Sequence, residues 1–259
     1  MVRIHAPYIS ATSKFVIKVE CFIIQDMRVQ ALHGWEVNIA RAREIQLSLA
    51  KRVVIENEVI NPHLVAGIDI SAPDAQGVAN GAVVVLRYPE LSMVEVEVAQ
   101  GKITLPYIPG LLSFRESPLI LAACEKLCNV PDLILIDGQG IAHPRRFGLA
   151  SHVGLFLDLP TIGCAKSILC GRHQPLGEEA GSHAELLDNG ELIGAALRTK
   201  SGVRPIYVSV GHKIDLASAL QLVIKCCRGY RLPEPTRLAH LAAGGMLTSK
   251  PSYQGKLFD

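Results

Sequence analysis

LILIDGQGIAHPRRFG, residues 133–148, begins as pure hydrocarbon and changes character at one residue. Four aliphatic side chains, Leu133 to Ile136, lead into Asp137, followed by Gly138, Gly140, His143 and the pair Arg145–Arg146. An apolar run without alternation is the pattern of a strand covered on both faces. A carboxylate directly after it stands at a buried strand end, where charge is costly unless something neutralises it.

Working outward, VAGIDI (65–70), TIGCAKS (161–167) and PIYVSVG (205–211) read as further strands, the second leaving into a loop. GAVVVLRY (81–88) and MVEVEVAQ (93–100) flank Pro89-Glu90 and read as a hairpin, and a second hairpin is expected around Asp188-Asn189-Gly190. Residues 37–55 carry Ile39, Ala42, Ile45, Leu49 and Val53 on one helical stripe. Further helices are expected over 111–128, with Pro118 interrupting or restarting the first, and over 146–158. Asp215 is placed to cap a helix starting at Leu216, and RLPEPTRLAHLAAGG re-forms a short one.

This order predicts an α/β protein built on a mixed sheet flanked by helices, with antiparallel early strands and parallel later strands. Residues 33–245 contain no linker and read as one domain, with an N-terminal extension over 1–32 and a polar tail over 246–259. Within the extension, KFVIKVECFIIQ (14–25) alternates partly, like a strand.

Composition sets the class but not the partner. Of 259 residues, 49% are hydrophobic and 19% charged, which is globular, and a formal net charge of +2 selects no ligand. Seven cysteines without a CxxC pair, and no signal-peptide pattern, predict reduced thiols in a cytoplasmic protein rather than a disulfide scaffold or a zinc site. No apolar run reaches the roughly 18 residues of a membrane span.

Three acids lie where a strand or turn delivers them: Asp69, Glu116 and Asp137. Any one alone is more often a cap or a hydrogen-bonded core residue. Brought together they repel, and a hard divalent ion such as Mg²⁺ relieves that repulsion using one or two carboxylates plus water and phosphate oxygens. Lys166 follows TIGCA and His212 ends IYVSVGH, so five polar groups are expected to meet at the carboxyl edge of the sheet. DGQG lacks the G-x-G-x-x-G spacing of a dinucleotide loop, and its glycines instead allow a ligand close to the backbone. YIPG (107–110) is a rigid turn presenting Tyr107, an aromatic able to stack on or wedge between bases.

The segments VAGIDIS, LPYIPGLLSFRE, LILIDGQGIAHPRRFGLASHVG, PTIGCAKS, PIYVSVGHKIDLASA and LPEPTRLAH follow the order and spacing of endonuclease V, and the chain resembles that family over about residues 34–245. The resemblance implies an RNase H-like fold and a repair nuclease that cuts the second phosphodiester bond 3′ to a deaminated purine, leaving a 3′-hydroxyl and a 5′-phosphate. Carried over by motif, Asp69 and Asp137 would hold Mg²⁺, with Mn²⁺ able to take its place, and Glu116 would complete the cluster. His212 would activate the attacking water, and Lys166 would contact the scissile phosphate. Tyr107 would be the wedge, and Leu112, Gly138, Gly140 and His143 would form the pocket of the displaced base. Arg115, Arg145 and Arg146 are candidates for backbone phosphates, as is Arg172. The implied partner is DNA with deaminated purines, RNA being an alternative substrate, and the protein is expected to be monomeric. Two other functions fit the same residues: a structure-selective RNase H-like nuclease, and a module that grips inosine without cutting.

Overall fold

The computed structural model of the chain describes residues 27–59 and 61–247. LILI forms β4 (Leu133–Ile136), every residue of it buried. It lies between β1 (Leu64–Ile70) and β5 (Thr161–Ala165), parallel to both. Leu133 and Leu135 belong to the core on one face with Ala219, Val223, Ala239 and Ala242, and Ile134 and Ile136 to the core on the other with Ile120, Leu121, Val153 and Phe156. Alternate residues of one strand thus enter two cores, and no polar position remains to produce alternation.

Among the described residues eight strands form a single mixed sheet in the order β3-β2-β1-β4-β5-β8-β7-β6. β2 (Val78–Arg87) and β3 (Ser92–Lys102) are the expected antiparallel hairpin, attached through β2 to β1. β6 (His183–Asp188) and β7 (Glu191–Leu197) are joined by Asn189 and Gly190 at φ 54° and 83°, the backbone of a two-residue primed turn. The parallel run is limited to β1, β4 and β5. β8 (Ile206–His212) pairs antiparallel with β5, so its C-terminal end points to the opposite edge of the sheet.

α1 (Ile39–Ala50) starts where the Asn38 side chain accepts the Arg41 N–H at 2.8 Å, and it stops before Ile55. α2 (Leu112–Cys124) runs through Pro118 without a break. Its next turn presses on Gly81 of β2, where a Cβ would stand 2.8 Å from the Leu119 carbonyl oxygen, so sheet packing holds the helix across the lost N–H. α3 (Leu149–Leu157) begins three residues later than expected, because Arg146 takes a φ of 53° ahead of the Gly148 N-cap. All nine of its residues are buried. α4 (Leu216–Lys225) has the expected Asp215 cap, which accepts the Ser218 N–H at 2.8 Å.

α5 (Glu234–Ala243) seats directly on β1 at Gly67, where a Cβ would lie 1.9 Å from the Pro235 carbonyl oxygen. That contact carries the C-terminal helix to the acid-bearing end of β1. At the other end of the chain, Met27 is buried in the core and the Gln30 N–H donates to the Phe156 carbonyl at 2.6 Å. Residues 27–32 therefore pack with the domain rather than preceding it, whereas the strand expected over 14–25 lies outside the described residues. Among the described residues no helix is long and apolar enough to cross a membrane.

Candidate active site

β1 and β4 are in parallel register with Ile68 opposite Ile136, so the next residue of each, Asp69 and Asp137, emerges at the same edge. The Asp137 N–H donates to the Ile68 carbonyl at 3.1 Å. β5 ends at Ala165, and Lys166, the following residue, forms an ion pair with Asp137 through Nζ and Oδ2. Glu116 approaches from the first turns of α2. Burial pushes its carboxyl up to about 7 against the pull of Arg115, and the charges of Asp69 and Asp137 raise it further. Burial and then Asp137 also raise Asp69, while hydrogen bonds from His240 and Ile70, and the charge of Lys166, act in the other direction.

His240, on α5, donates from Nδ1 to Asp69 Oδ2 at 2.7 Å, and its half-exposed ring has no other hydrogen-bond partner among the described residues. This histidine closes the segment LPEPTRLAH, whose local pattern gives it no role. The usable signal was Gly67, two residues before Asp69: a glycine inside a buried strand marks close backbone approach, here by α5.

His212 does not join the site. It pairs across the sheet with Thr161, at the amino end of β5, whereas Lys166 follows the carboxyl end. Its Nδ1 accepts the Val54 N–H at 3.2 Å and its Nε2 lies 3.6 Å from Asp158 Oδ1. The expectation assumed a parallel β8; an antiparallel strand delivers its last residue to the wrong edge.

Beside Asp137 and Lys166 lies a cavity of about 320 Å³ whose walls include Tyr107, Leu112, Gly138, Gln139 and His143. Tyr107 is 64% exposed, a ring offered to solvent. His143 accepts the Arg145 N–H on Nδ1 at 3.1 Å and donates from Nε2 to the Gly110 carbonyl at 3.1 Å. Burial, aided by the nearby Arg145 charge, pushes its imidazole down to about 4, so the ring is neutral near pH 7. Gly140 is not a wall of this cavity. A Cβ there would meet the Val210 carbonyl at 1.9 Å, so this glycine serves the close passage of β8.

The arginines divide as well. Arg145 donates to Gln46 Oε1 and to the Gly110 carbonyl, both at 2.6 Å, and Arg146 pairs with Asp188 at 2.9 Å and Glu191 at 2.7 Å. Both guanidinium groups are engaged within the protein, Arg145 on the Gly110 turn and Arg146 on the β6–β7 hairpin. Arg115 lines a separate, larger cavity between α1 and α2, and its Nε is buried without a partner.

Among the described residues no three His, Cys, Asp or Glu side chains are arranged as a metal-ligand cluster. The donor set is instead two strand-end carboxylates with a third acid behind them, mutually repelling in Asp69 and Glu116. That chemistry fits a hard ion that takes few protein ligands and completes its shell with water and phosphate oxygens, and it does not fit a structural zinc.

A mixed sheet with acids at the carboxyl edge of its parallel strands defines the class, an RNase H-like nuclease fold. Comparison with known proteins takes this further. The family model described as Endonuclease V matches residues 47–241. Endonuclease V of Dehalococcoides mccartyi is 51% identical over 222 residues, covering 86% of this chain and 100% of that protein. The crystal structure of endonuclease V from Streptomyces avermitilis superposes with a TM-score of 0.78 at 42% identity, over 85% of this chain and 96% of that one. Endonuclease V of Ciona intestinalis, in complex with a 24mer DNA containing an inosine followed by a ribo-adenosine, superposes with a TM-score of 0.68 at 28% identity, over 80% and 96% of the two chains. The chain belongs to the endonuclease V family of nucleases.

Proposed function

We propose that the protein is a Mg²⁺-dependent endonuclease of nucleic-acid repair that incises the second phosphodiester bond 3′ to deoxyinosine, leaving a 3′-hydroxyl and a 5′-phosphate. The observation that carries this is a shared wall: Asp137 and Lys166 belong both to the acidic edge and to the cavity lined by Tyr107, Leu112 and His143. A base held in that cavity keeps its own strand beside the carboxylates. The Ciona protein's complex with inosine-containing DNA supports the choice of substrate.

Asp69 and Asp137 would hold the ion, with Glu116 reaching it through water. Bound there, Mg²⁺ would neutralise the acids, polarise the phosphate and stabilise the leaving oxygen. Lys166 reaches toward a non-bridging phosphate oxygen from the neighbouring strand end. His240 takes the role first expected of His212: Asp69 fixes its Nδ1–H, which leaves Nε2 to orient the attacking water and accept its proton. Arg115 remains a candidate phosphate contact.

Tyr107 fills the gap left in the base stack. The displaced hypoxanthine meets the Gly138 backbone, Leu112 and the neutral His143. Hypoxanthine carries a carbonyl and a ring N–H where adenine has an amine and a bare nitrogen, so buried hydrogen-bonding groups matched to one are left unpaired by the other. The site as proposed needs no residue from a second subunit, and the proposal is of a cytoplasmic monomer. A module that only binds inosine has no use for the acid set.

The deciding experiment compares single-stranded DNA, duplex DNA and RNA, each bearing one inosine or an adenosine at the same position, with and without Mg²⁺. Inosine- and Mg²⁺-dependent incision at the second 3′ bond is expected, and the best-cut substrate identifies the preferred nucleic acid. Cutting that ignores inosine would make this a structure-selective nuclease; inosine binding without cutting would make it a recognition module.

A further inference from the structure

Gly110 closes the turn that presents Tyr107, and its carbonyl oxygen accepts from three side chains: Arg145 Nη2 at 2.6 Å, Gln46 Nε2 at 3.0 Å and His143 Nε2 at 3.1 Å. A carbonyl oxygen has two lone pairs, so these donors saturate it. Gly110 sits at φ 78°, and a Cβ there would stand 2.7 Å from Arg145 Nη2, so the guanidinium lies directly on the turn.

Gln46 is the hub of this arrangement. It lies on α1, outside all the segments that carry the family resemblance, and it is 0% exposed. Its Oε1 accepts Arg145 Nε at 2.6 Å, and its Nε2 also donates to the Phe147 carbonyl at 3.3 Å. A buried amide is costly unless its donor and acceptor are both satisfied, and here both are, by groups from two different loops. One is the Tyr107 turn. The other is the 143–147 segment, whose His143 forms a wall of the base cavity.

We propose that Gln46 is a positioning residue that sets the spacing between the Tyr107 turn and the base pocket, and so controls inosine recognition without touching nucleic acid. The inference rests on the proposed function of that pocket. Gln46→Leu removes both donors from the clamp and the acceptor from Arg145, freeing the turn to shift against the pocket. Gln46→Glu keeps the acceptor and removes the donors, so it carries the same test if the leucine variant does not fold. Ile45→Val, a packing change one residue away on the same helix, is the stability control.

The test uses the full chain and a fluorescein-labelled duplex with one deoxyinosine, beside an undamaged duplex of the same sequence. Affinity is measured by anisotropy without divalent metal, and KM and kcat with Mg²⁺. For Gln46→Leu, Kd and KM on the inosine duplex are expected to rise about fivefold, the factor for losing one ordinary buried hydrogen bond, with kcat within about twofold. Affinity for undamaged duplex and all constants of Ile45→Val should stay near wild type. Unchanged inosine affinity in the Gln46 variants overturns the inference, as does an equal loss in Ile45→Val. A wild-type protein with no preference for inosine would instead overturn the proposed function, so the two failures are distinct.

Discussion

His240 Nδ1 donates to Asp69 Oδ2 at 2.7 Å, joining residues 171 positions apart. β1 brings the aspartate to the sheet edge and α5 brings the histidine, and the two elements touch at Gly67 without an intervening side chain.

His240→Ala should lower kcat on an inosine substrate by roughly 10² to 10⁴, the range for losing a general acid–base group. His212→Ala should leave kcat near wild type and lower the melting temperature, because it removes the buried acceptor of the Val54 N–H. Steady-state rates and melting curves on both variants decide the matter; the opposite ranking would return the role to His212.

Gly67→Ala should cost stability by about 1–3 kcal/mol or more and abolish incision. Its methyl would drive against the Pro235 carbonyl, and α5 could not keep His240 beside Asp69. Urea unfolding measures the first effect. A variant that stays fully active would show that the contact relaxes without moving the helix.

Asp137→Ala should eliminate Mg²⁺-dependent incision while keeping measurable affinity for inosine DNA, since the Tyr107 turn and most of the pocket remain. Isothermal titration with Mg²⁺ should show weakened metal binding. Normal cutting by this variant is incompatible with a metal held by Asp69 and Asp137.

Tyr107→Ala should raise Kd for inosine DNA by roughly 1–3 kcal/mol, the usual worth of an aromatic stacked on a base, and leave Mg²⁺ affinity unchanged. The ring is largely exposed, so the melting temperature should not move. If discrimination between inosine and adenosine survives intact, Tyr107 is not the wedge.

Acid should destabilise the protein through its buried histidines. Burial holds His152 well below its usual range, with His33 adding to the effect, and pushes His143 down to about 4. The neutral form is thus favoured in the fold, so below pH 6.5 the unfolded chain binds more protons than the folded one. The stability these groups contribute is present above about pH 6.5 and lost as pH falls. For His143 it amounts to about 3 kcal/mol, lost in full only below pH 4, at roughly 1.4 kcal/mol per unit. Glu116, held up to about 7, acts with the opposite sign in this range, so the histidine contribution is read by comparison. Calorimetry from pH 7.5 to 5 should show a melting temperature that drops more with acid in the wild type than in His152→Phe, whose ring fits the Trp35, Phe114, Phe147 and Phe156 surroundings. A slope unchanged by that substitution would exclude His152 as a source.

Much of this was legible in the chain itself. Short-range patterns carried it: the unbroken hydrocarbon of 133–136, the Asn-Gly turn, the Asp215 cap, and a charged residue directly after each of β4 and β5. Asp69, Asp137 and Lys166 come together because β1, β4 and β5 are adjacent and parallel, so strand ends in sequence become neighbours in space.

Strand direction and the partners of polar side chains belonged to the tertiary structure. PIYVSVGH has the same apolar pattern in either orientation, because both faces of the sheet are covered; only its pairing with β5 shows that His212 faces away. Arg145 and Arg146 look alike in the sequence as cations awaiting phosphate, yet Gln46, Gly110, Asp188 and Glu191 arrive from elsewhere and occupy them. The sequence by itself determined which residues end buried strands, since that is written in local hydrophobicity. Which of those ends share one edge, and which helix supplies the missing histidine, was decided by long-range packing: an antiparallel return of β8, and an α5 pressed onto the one position of β1 that has no side chain.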